Sequence, residues 1–177
     1  MVKQFSDEEL ILLLFKDDSK VKEILGNNYF SFLLKQYTIY MDLTDKQGSK
    51  RDTQNSFFLA LHTLIVSGIG FCIYYLPDAV YFSIILSLLG LFFAATWQKL
   101  IITSRTLKDV AYRLINIFES RMPISGFSVQ YKLLLEDTKY KAYYIPFTTI
   151  EEKIPKYFAL SYTVLVGFIL NNHFHIL

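Results

Sequence analysis

The sequence predicts a mainly α-helical membrane protein: a transmembrane helical hairpin, a cytoplasmic helical extension, a small β hairpin and a third apolar helix near the C-terminus. Three observations carry this prediction. Residues Phe57 to Trp97 form two apolar runs separated only by Leu76-Pro77-Asp78-Ala79. The first run, Phe57 to Leu76, contains no Asp, Glu, Lys or Arg, and its length matches the roughly 20 residues a helix needs to cross a hydrocarbon core. The second, Val80 to Trp97, is equally free of charge and nearly as long. A soluble helix keeps a polar stripe at the 3.6-residue period, and neither run has one. Finally, the 177 residues are 53% hydrophobic, 17% aromatic and only 19% charged, below the roughly 25% charged residues of ordinary soluble chains.

The charge balance narrows the function classes. With a formal net charge of +2, any affinity for a polyanion has to come from local clustering of Lys and Arg. The single cysteine, Cys72, has no partner in the chain, which excludes a disulfide within one copy. The acids Asp7, Glu8 and Glu9 precede a short apolar run where a secretory leader would carry basic residues.

Residues 1–56 read as N-terminal cytoplasmic helices. Ser6-Asp7-Glu8-Glu9 has the pattern of a capping box, so a helix should follow to about Lys16. Its apolar stripe either packs on neighbours or lies on the membrane surface. Gly26-Asn27-Asn28 breaks the pattern. From Tyr29, the helical spacing of Phe32, Leu33, Tyr37, Tyr40, Met41 and Thr44 predicts a helix that runs towards the first span, with Gly48 as a place to bend.

Residues 57–97 are the hairpin. Lys46, Lys50 and Arg51 lie before it, Lys99, Arg105, Lys108 and Arg113 after it, and the connecting turn has no cation. The positive-inside rule then puts both flanks in the cytoplasm and the turn outside, which in a bacterial cell means the inner (plasma) membrane. Small residues recur at three- and four-residue intervals: Ala60, Thr63, Ser67 and Gly70 on the first span, Ser83, Ser87, Gly90 and Ala94 on the second. One reading is close packing of the hairpin. The other places His62, Thr63, Ser67, Ser83 and Ser87 on the wall of a pore formed by several copies. His62 is equally readable as a neutral side chain hydrogen-bonded to another helix.

Residues 98–123 continue as an amphipathic stalk, with Leu107, Val110, Ala111, Leu114, Ile117 and Phe118 on one side, until Pro123 and Gly126 end it. In 124–156 the period falls towards two. Phe127, Val129 and Tyr131, then Tyr140, Ala142, Tyr144 and Pro146, flank the turn-forming Glu136-Asp137-Thr138-Lys139, which predicts the β hairpin. Thr149-Ile150-Glu151-Glu152 offers a second capping box, with Pro155 in the first turn of the helix that follows. Residues 157–177 are apolar; Tyr157 to Leu170 alone is too short to span, and two readings stand, a third membrane-inserted helix or a buried cytoplasmic one.

The chain offers no catalytic constellation. Its histidines are His62, His173 and His175, Cys72 sits in a span, and there is no Gly-rich phosphate loop. We therefore expect no enzyme activity, no cofactor and no metal, the His173-His175 pair lacking an acidic or Cys neighbour. Lys99, Arg105, Lys108 and Arg113 are candidate ligand-binding residues, gathered from several copies around an anion, or else anchors for the span ends at the headgroups. The aromatic residues around Tyr29-Phe32 and Tyr140-Tyr144 either stack bases or pack the core.

Two polar segments beside the hairpin carry a resemblance. The first holds Tyr37, Tyr40-Met41-Asp42, Asp45 to Arg51 and Asn55-Ser56-Phe57-Phe58-Leu59. The second starts at Trp97 and holds Leu100-Ile101, Ser104-Arg105-Thr106-Leu107, Ala111, Ile115, Glu119 and Met122-Pro123, then Tyr144-Ile145-Pro146, Glu151 and Ile154-Pro155. Over Tyr37 to Phe158 the chain resembles a family of small bacterial membrane proteins with two spans, similar to the membrane effectors of Hailong-type anti-phage systems, which are encoded beside a nucleotidyltransferase. The resemblance implies a homo-oligomeric ion channel in the membrane lipid, controlled by a nucleic-acid or nucleotide ligand made by that enzyme. The chain departs from the family pattern at Val129-Gln130-Tyr131 and Tyr112-Arg113, so ligand contacts there are not carried over. The alternative is a non-conducting membrane scaffold that recruits a soluble partner enzyme.

Overall fold

The computed structural model describes residues 5–15, 18–76, 80–137 and 147–175, with side chains described for all but 147–148 and 172–175. Helix α1 (Asp7–Leu14) starts at the expected capping box: Ser6 Oγ accepts from Glu9 N–H and the Glu9 carboxylate accepts from Ser6 N–H. Helix α2 (Asp18–Leu25) ends at a 3-10 turn, Gly26–Asn28. Gly26 there has φ +47, the left-handed region that a side chain disfavours. Helix α3 (Tyr29–Tyr75) then runs for 47 residues, unbroken through Gly48, and α4 (Val80–Glu119) for 40. At 1.5 Å per residue these are about 70 and 60 Å long, so each exceeds a bilayer core and continues well past it.

The β hairpin is not formed. Phe127, Val129 and Tyr131 belong to helix α5 (Gly126–Glu136), and among the described residues there is no strand. Three alternating residues were too few to set a period: Phe127, Tyr131 and Leu134 also recur at helical spacing, and the segment ends in Lys132-Leu133-Leu134-Leu135, all good helix formers. The second expected strand, Tyr140 to Pro146, lies outside the described residues. Helix α6 (Phe147–Glu151) begins before Thr149, which is therefore inside the helix and not its cap. Helix α7 (Lys153–His175) carries Pro155 in its first turn, where a missing N–H costs no intrahelical bond.

The chain divides into two compact units, residues 1–46 with 108–144 and residues 47–107 with 145–177. In the first, Phe118 is buried and meets Phe15 and Tyr40 at ring-centroid distances of 5.7 and 5.1 Å. The stalk there buries Ala111, Ile115 and Phe118, whereas Val110 is 53% exposed. The second unit is built from the apolar lengths of α3, α4 and α7. Its core contains Phe58, Trp97 and Ile101, then Ile65, Ile69 and Tyr162. Three helical stretches, within Asp18–Tyr75, Val80–Glu119 and Thr149–Asn171, are long and apolar enough to cross a membrane, and only 28%, 28% and 17% of their most apolar windows is buried. So much exposed apolar surface needs lipid or further protein against it.

Candidate functional site

The apolar surface of the second unit encloses a polar ladder. Where the apolar runs begin, the Trp97 indole N–H donates to Asn55 Oδ1 at 2.9 Å, and the Asn55 amide donates to Glu151 Oε1 at 2.8 Å. Arg51 lies 3.5 Å from the other Glu151 oxygen; the two side chains are 11% and 5% exposed. A carboxylate buried this deeply is tolerable only when paired and hydrogen-bonded, and here the same pairing ties α3, α4 and α6 together. The indole has also found the polar partner a buried Trp requires.

Two turns further along α3, His62 is fully buried. Its Nδ1 and the Tyr162 hydroxyl are 2.9 Å apart, and the Phe158 ring stacks on the imidazole at 4.5 Å. Nε2 has no hydrogen-bond partner among the described residues. The Tyr162 ring covers Gly90 so closely that a Cβ there would lie 2.5–2.7 Å from three ring atoms. Successive partners along α6 and α7 (Glu151 with Asn55, Phe158 with His62, Tyr162 with Ile65 and Ile69) show that α7 runs parallel to α3. It therefore shares the depth of the two expected spans, which favours the membrane-inserted reading over a separate cytoplasmic helix.

The expected pore residues divide. His62, Ser83 and Ser87 are buried inside the copy, with Ser87 Oγ donating to the Ser83 carbonyl at 2.9 Å. Thr63 and Ser67 are exposed, and Thr63 Oγ1 donates to the Leu59 carbonyl at 2.9 Å. The small-residue stripes divide in the same way: Ser83, Ser87, Gly90 and Ala94 are buried, whereas Ala60, Thr63, Ser67 and Gly70 are exposed and do not pack the hairpin.

The candidate cations fall in both units. In the second, Lys99 is exposed and Arg105 pairs with Glu152 at 2.8 Å. In the first, Lys108 is half-buried, and Arg113 is held by Asp7 at 2.6 Å and by the Phe5 carbonyl at 2.8 Å. The first unit adds two polar centres of its own. Glu119, 3% exposed, accepts from the Phe127 and Ser128 backbone N–H groups at 2.9 and 2.7 Å and from Tyr37 Oη at 3.0 Å. It thus supplies acceptors to the open amides at the start of α5. Burial pushes its carboxyl up, but the hydrogen bonds from Ser128, Phe127 and Tyr37 outweigh burial and hold it below the usual value. Asp18 accepts from the Tyr29 hydroxyl and pairs with Lys22 and Arg121 at 3.2 and 3.0 Å. Burial and this carboxylate push Tyr29 up to about 12. Beside them, Phe15, Tyr29, Phe32, Tyr40 and Phe118 line a cavity of about 250 Å³, where the aromatic residues near Tyr29 are found.

Sequence reasoning about sites missed Glu151, Asn55, Tyr162 and Glu119. A signal existed for three of them: Asn55, Glu151 and Glu119 are among the residues on which the resemblance rests. Tyr162, inside an apolar run, carried none.

A family model described as the octameric membrane protein family (8xMP) matches residues 34–171. That stretch encloses α3, α4, α5 and α6 almost entirely, and most of α7. No curated protein and no solved structure matches the chain.

Proposed function

The chain belongs to the octameric membrane protein family, and from that premise we propose that its copies form one ring whose centre conducts ions. The supporting observation is that every copy has three membrane-length helices with mostly exposed apolar surface. Eight helices set about 10 Å apart on a circle have their axes about 13 Å from its centre. Subtracting a helix radius of about 5 Å leaves a lumen roughly 16 Å wide, too wide for one layer of side chains to fill. Its wall has to come from an exposed face. The face suited to water is the stripe with Thr63 and Ser67, so these two replace His62, Ser83 and Ser87 as the proposed lining.

The resemblance supports the finer reading. The ring sits in the bacterial inner membrane with the α3–α4 turn outside, and its opening collapses the membrane potential during anti-phage defence. A nucleotide or oligonucleotide made by a nucleotidyltransferase regulates it through Lys99, Arg105 and Lys108, and through Arg113 on the ground of its charge alone. Arg105 and Arg113 are paired with Glu152 and Asp7, so such a ligand acts by displacing those carboxylates, and binding weakens steeply with salt. Ion flux into liposomes containing the purified protein tests conduction. We expect flux that changes when Thr63 and Ser67 are replaced by Leu. No flux with or without oligonucleotide would leave the non-conducting scaffold as the better reading.

A further inference from the structure

A second cavity, of about 370 Å³, opens between α3 and α4 in the unit of 47–107 and 145–177, and none of the four cations discussed above lines it. Its size is at the small end of the range for ligand pockets, roughly 300–1,000 Å³. The lining is rich in donors: Lys50, Arg51, Gln54 and Ser104 face it, with Gln47 at its outer end. Thr103 also lines it, but its hydroxyl already donates to the Lys99 carbonyl at 3.0 Å. Arg51 is braced by Glu151 at 3.5 Å and Asp52 at 3.4 Å. Lys50 makes no ion pair among the described residues, and although the two carboxylates on Arg51 leave the cluster formally neutral, it is the Lys50 ammonium that can meet a ligand beside a wall of amide and hydroxyl donors.

The depth of the cavity identifies its ligand. Gln54 and Leu100 each lie three residues beyond the apolar boundary marked by Phe57 and Trp97, Arg51 and Thr103 six, and Lys50 and Ser104 seven. At 1.5 Å per residue these levels are about 4.5, 9 and 10.5 Å outside the hydrocarbon. The headgroup layer occupies about 5–7.5 Å on each side of the core. Opposed pairs at matching depth on two antiparallel helices thus put Gln54 at the inner edge of that layer and Arg51, Lys50 and Ser104 outside it, where the long Lys50 and Arg51 side chains can reach back to the lipid phosphates. We propose that this cavity is a phosphate site and that an anionic phospholipid headgroup of the adjoining leaflet occupies it. The proposal is independent of whether the ring conducts.

Native mass spectrometry of the full-length oligomer from nanodiscs of equal phosphatidylglycerol and phosphatidylcholine tests it. We expect the wild-type protein to retain phosphatidylglycerol selectively, and Lys50→Gln to lower that selectivity about 5-fold, the effect of one basic residue near an anionic surface. Ser104→Leu fills the cavity from the opposite helix without changing charge, and should lower selectivity as well; the recorded mass shows that each variant still assembles. Lys156→Gln removes an exposed lysine outside the cavity and should leave selectivity unchanged. Equal losses for Lys50→Gln and Lys156→Gln would overturn the site in favour of diffuse surface charge. If both cavity variants weaken inorganic phosphate binding yet leave lipid retention intact, the pocket holds a soluble phosphate and the lipid assignment is wrong.

Discussion

Gly90→Ala gives a test in which two physical effects have opposite signs. Replacing a helical Gly by Ala stabilises a helix by roughly 0.5–1 kcal/mol when nothing else is touched. At Gly90 the new Cβ would meet three Tyr162 ring atoms at 2.5–2.7 Å, well inside van der Waals contact. The ring has little room to retreat, since Tyr162 is fully buried, bonded to His62 at 2.9 Å and packed with Phe158. Overpacking of a closed site costs about 1–3 kcal/mol, so the net expectation is a loss of about 0–2.5 kcal/mol after the helix gain. In a chain of this size that corresponds to a fall in Tm of up to about 10 °C, measurable by thermal denaturation in detergent. Gly167→Ala is the control: its Cβ meets nothing within 4 Å, and Tm should hold or rise. In a Tyr162→Leu background the cost of Gly90→Ala should disappear. A rise in Tm for Gly90→Ala alone, equal to that of the control, would refute the docking of α7 on α4 through this contact.

Glu151 and Glu152 should differ sharply despite being neighbours. Glu151→Ala takes the buried carboxylate from a nearly buried Arg51, leaving it with the exposed Asp52, and removes the acceptor of the Asn55 amide, so it should cost about 2–4 kcal/mol, whereas Glu152→Ala breaks a pair with an Arg105 that is 48% exposed and should cost under about 1 kcal/mol; denaturation midpoints of the two variants decide this. Acid should loosen α5 through Glu119. Its folded carboxyl lies below the ordinary 4.5, so its contribution is complete above that value and is lost as pH falls through the depressed one. Hydrogen exchange at Gly126–Glu136, corrected for intrinsic rates, should show protection falling with Glu119 protonation, and Glu119→Gln should show weaker protection already at neutral pH. Protection that is constant in acid and unaffected by the substitution would remove Glu119 as the cap of α5.

What could be read from the residues was local. Two uncharged runs of membrane length predict two helices, and α3 and α4 are those helices, extended on both sides because no helix breaker lies between Tyr29 and Leu76 or between Val80 and Glu119 apart from helical glycines. The α1 capping box was legible because all its partners lie within four residues. The α5 segment reads as a strand in sequence because a period judged on three residues does not separate strand from helix. Partners far apart in sequence were out of reach: Asn55 and Glu151 are separated by 96 positions, His62 and Tyr162 by 100. The spacing of Ser83-Ser87-Gly90-Ala94 allowed both a packing face and a pore wall, and the same spacing on α3 marks an exposed face. That Gly90 lies beneath Tyr162 of α7, while the stripe on α3 stays exposed, depends on how the third helix packs, and no periodicity encodes that.

An assembly of these three-helix copies around one open axis would be visible in a projection of the purified oligomer viewed down that axis. The expected projection has eight copies around a lumen roughly 16 Å wide, with the α3 face carrying Thr63 and Ser67 turned towards it. Eight copies packed around a closed centre, or that face turned outward to lipid, would contradict it.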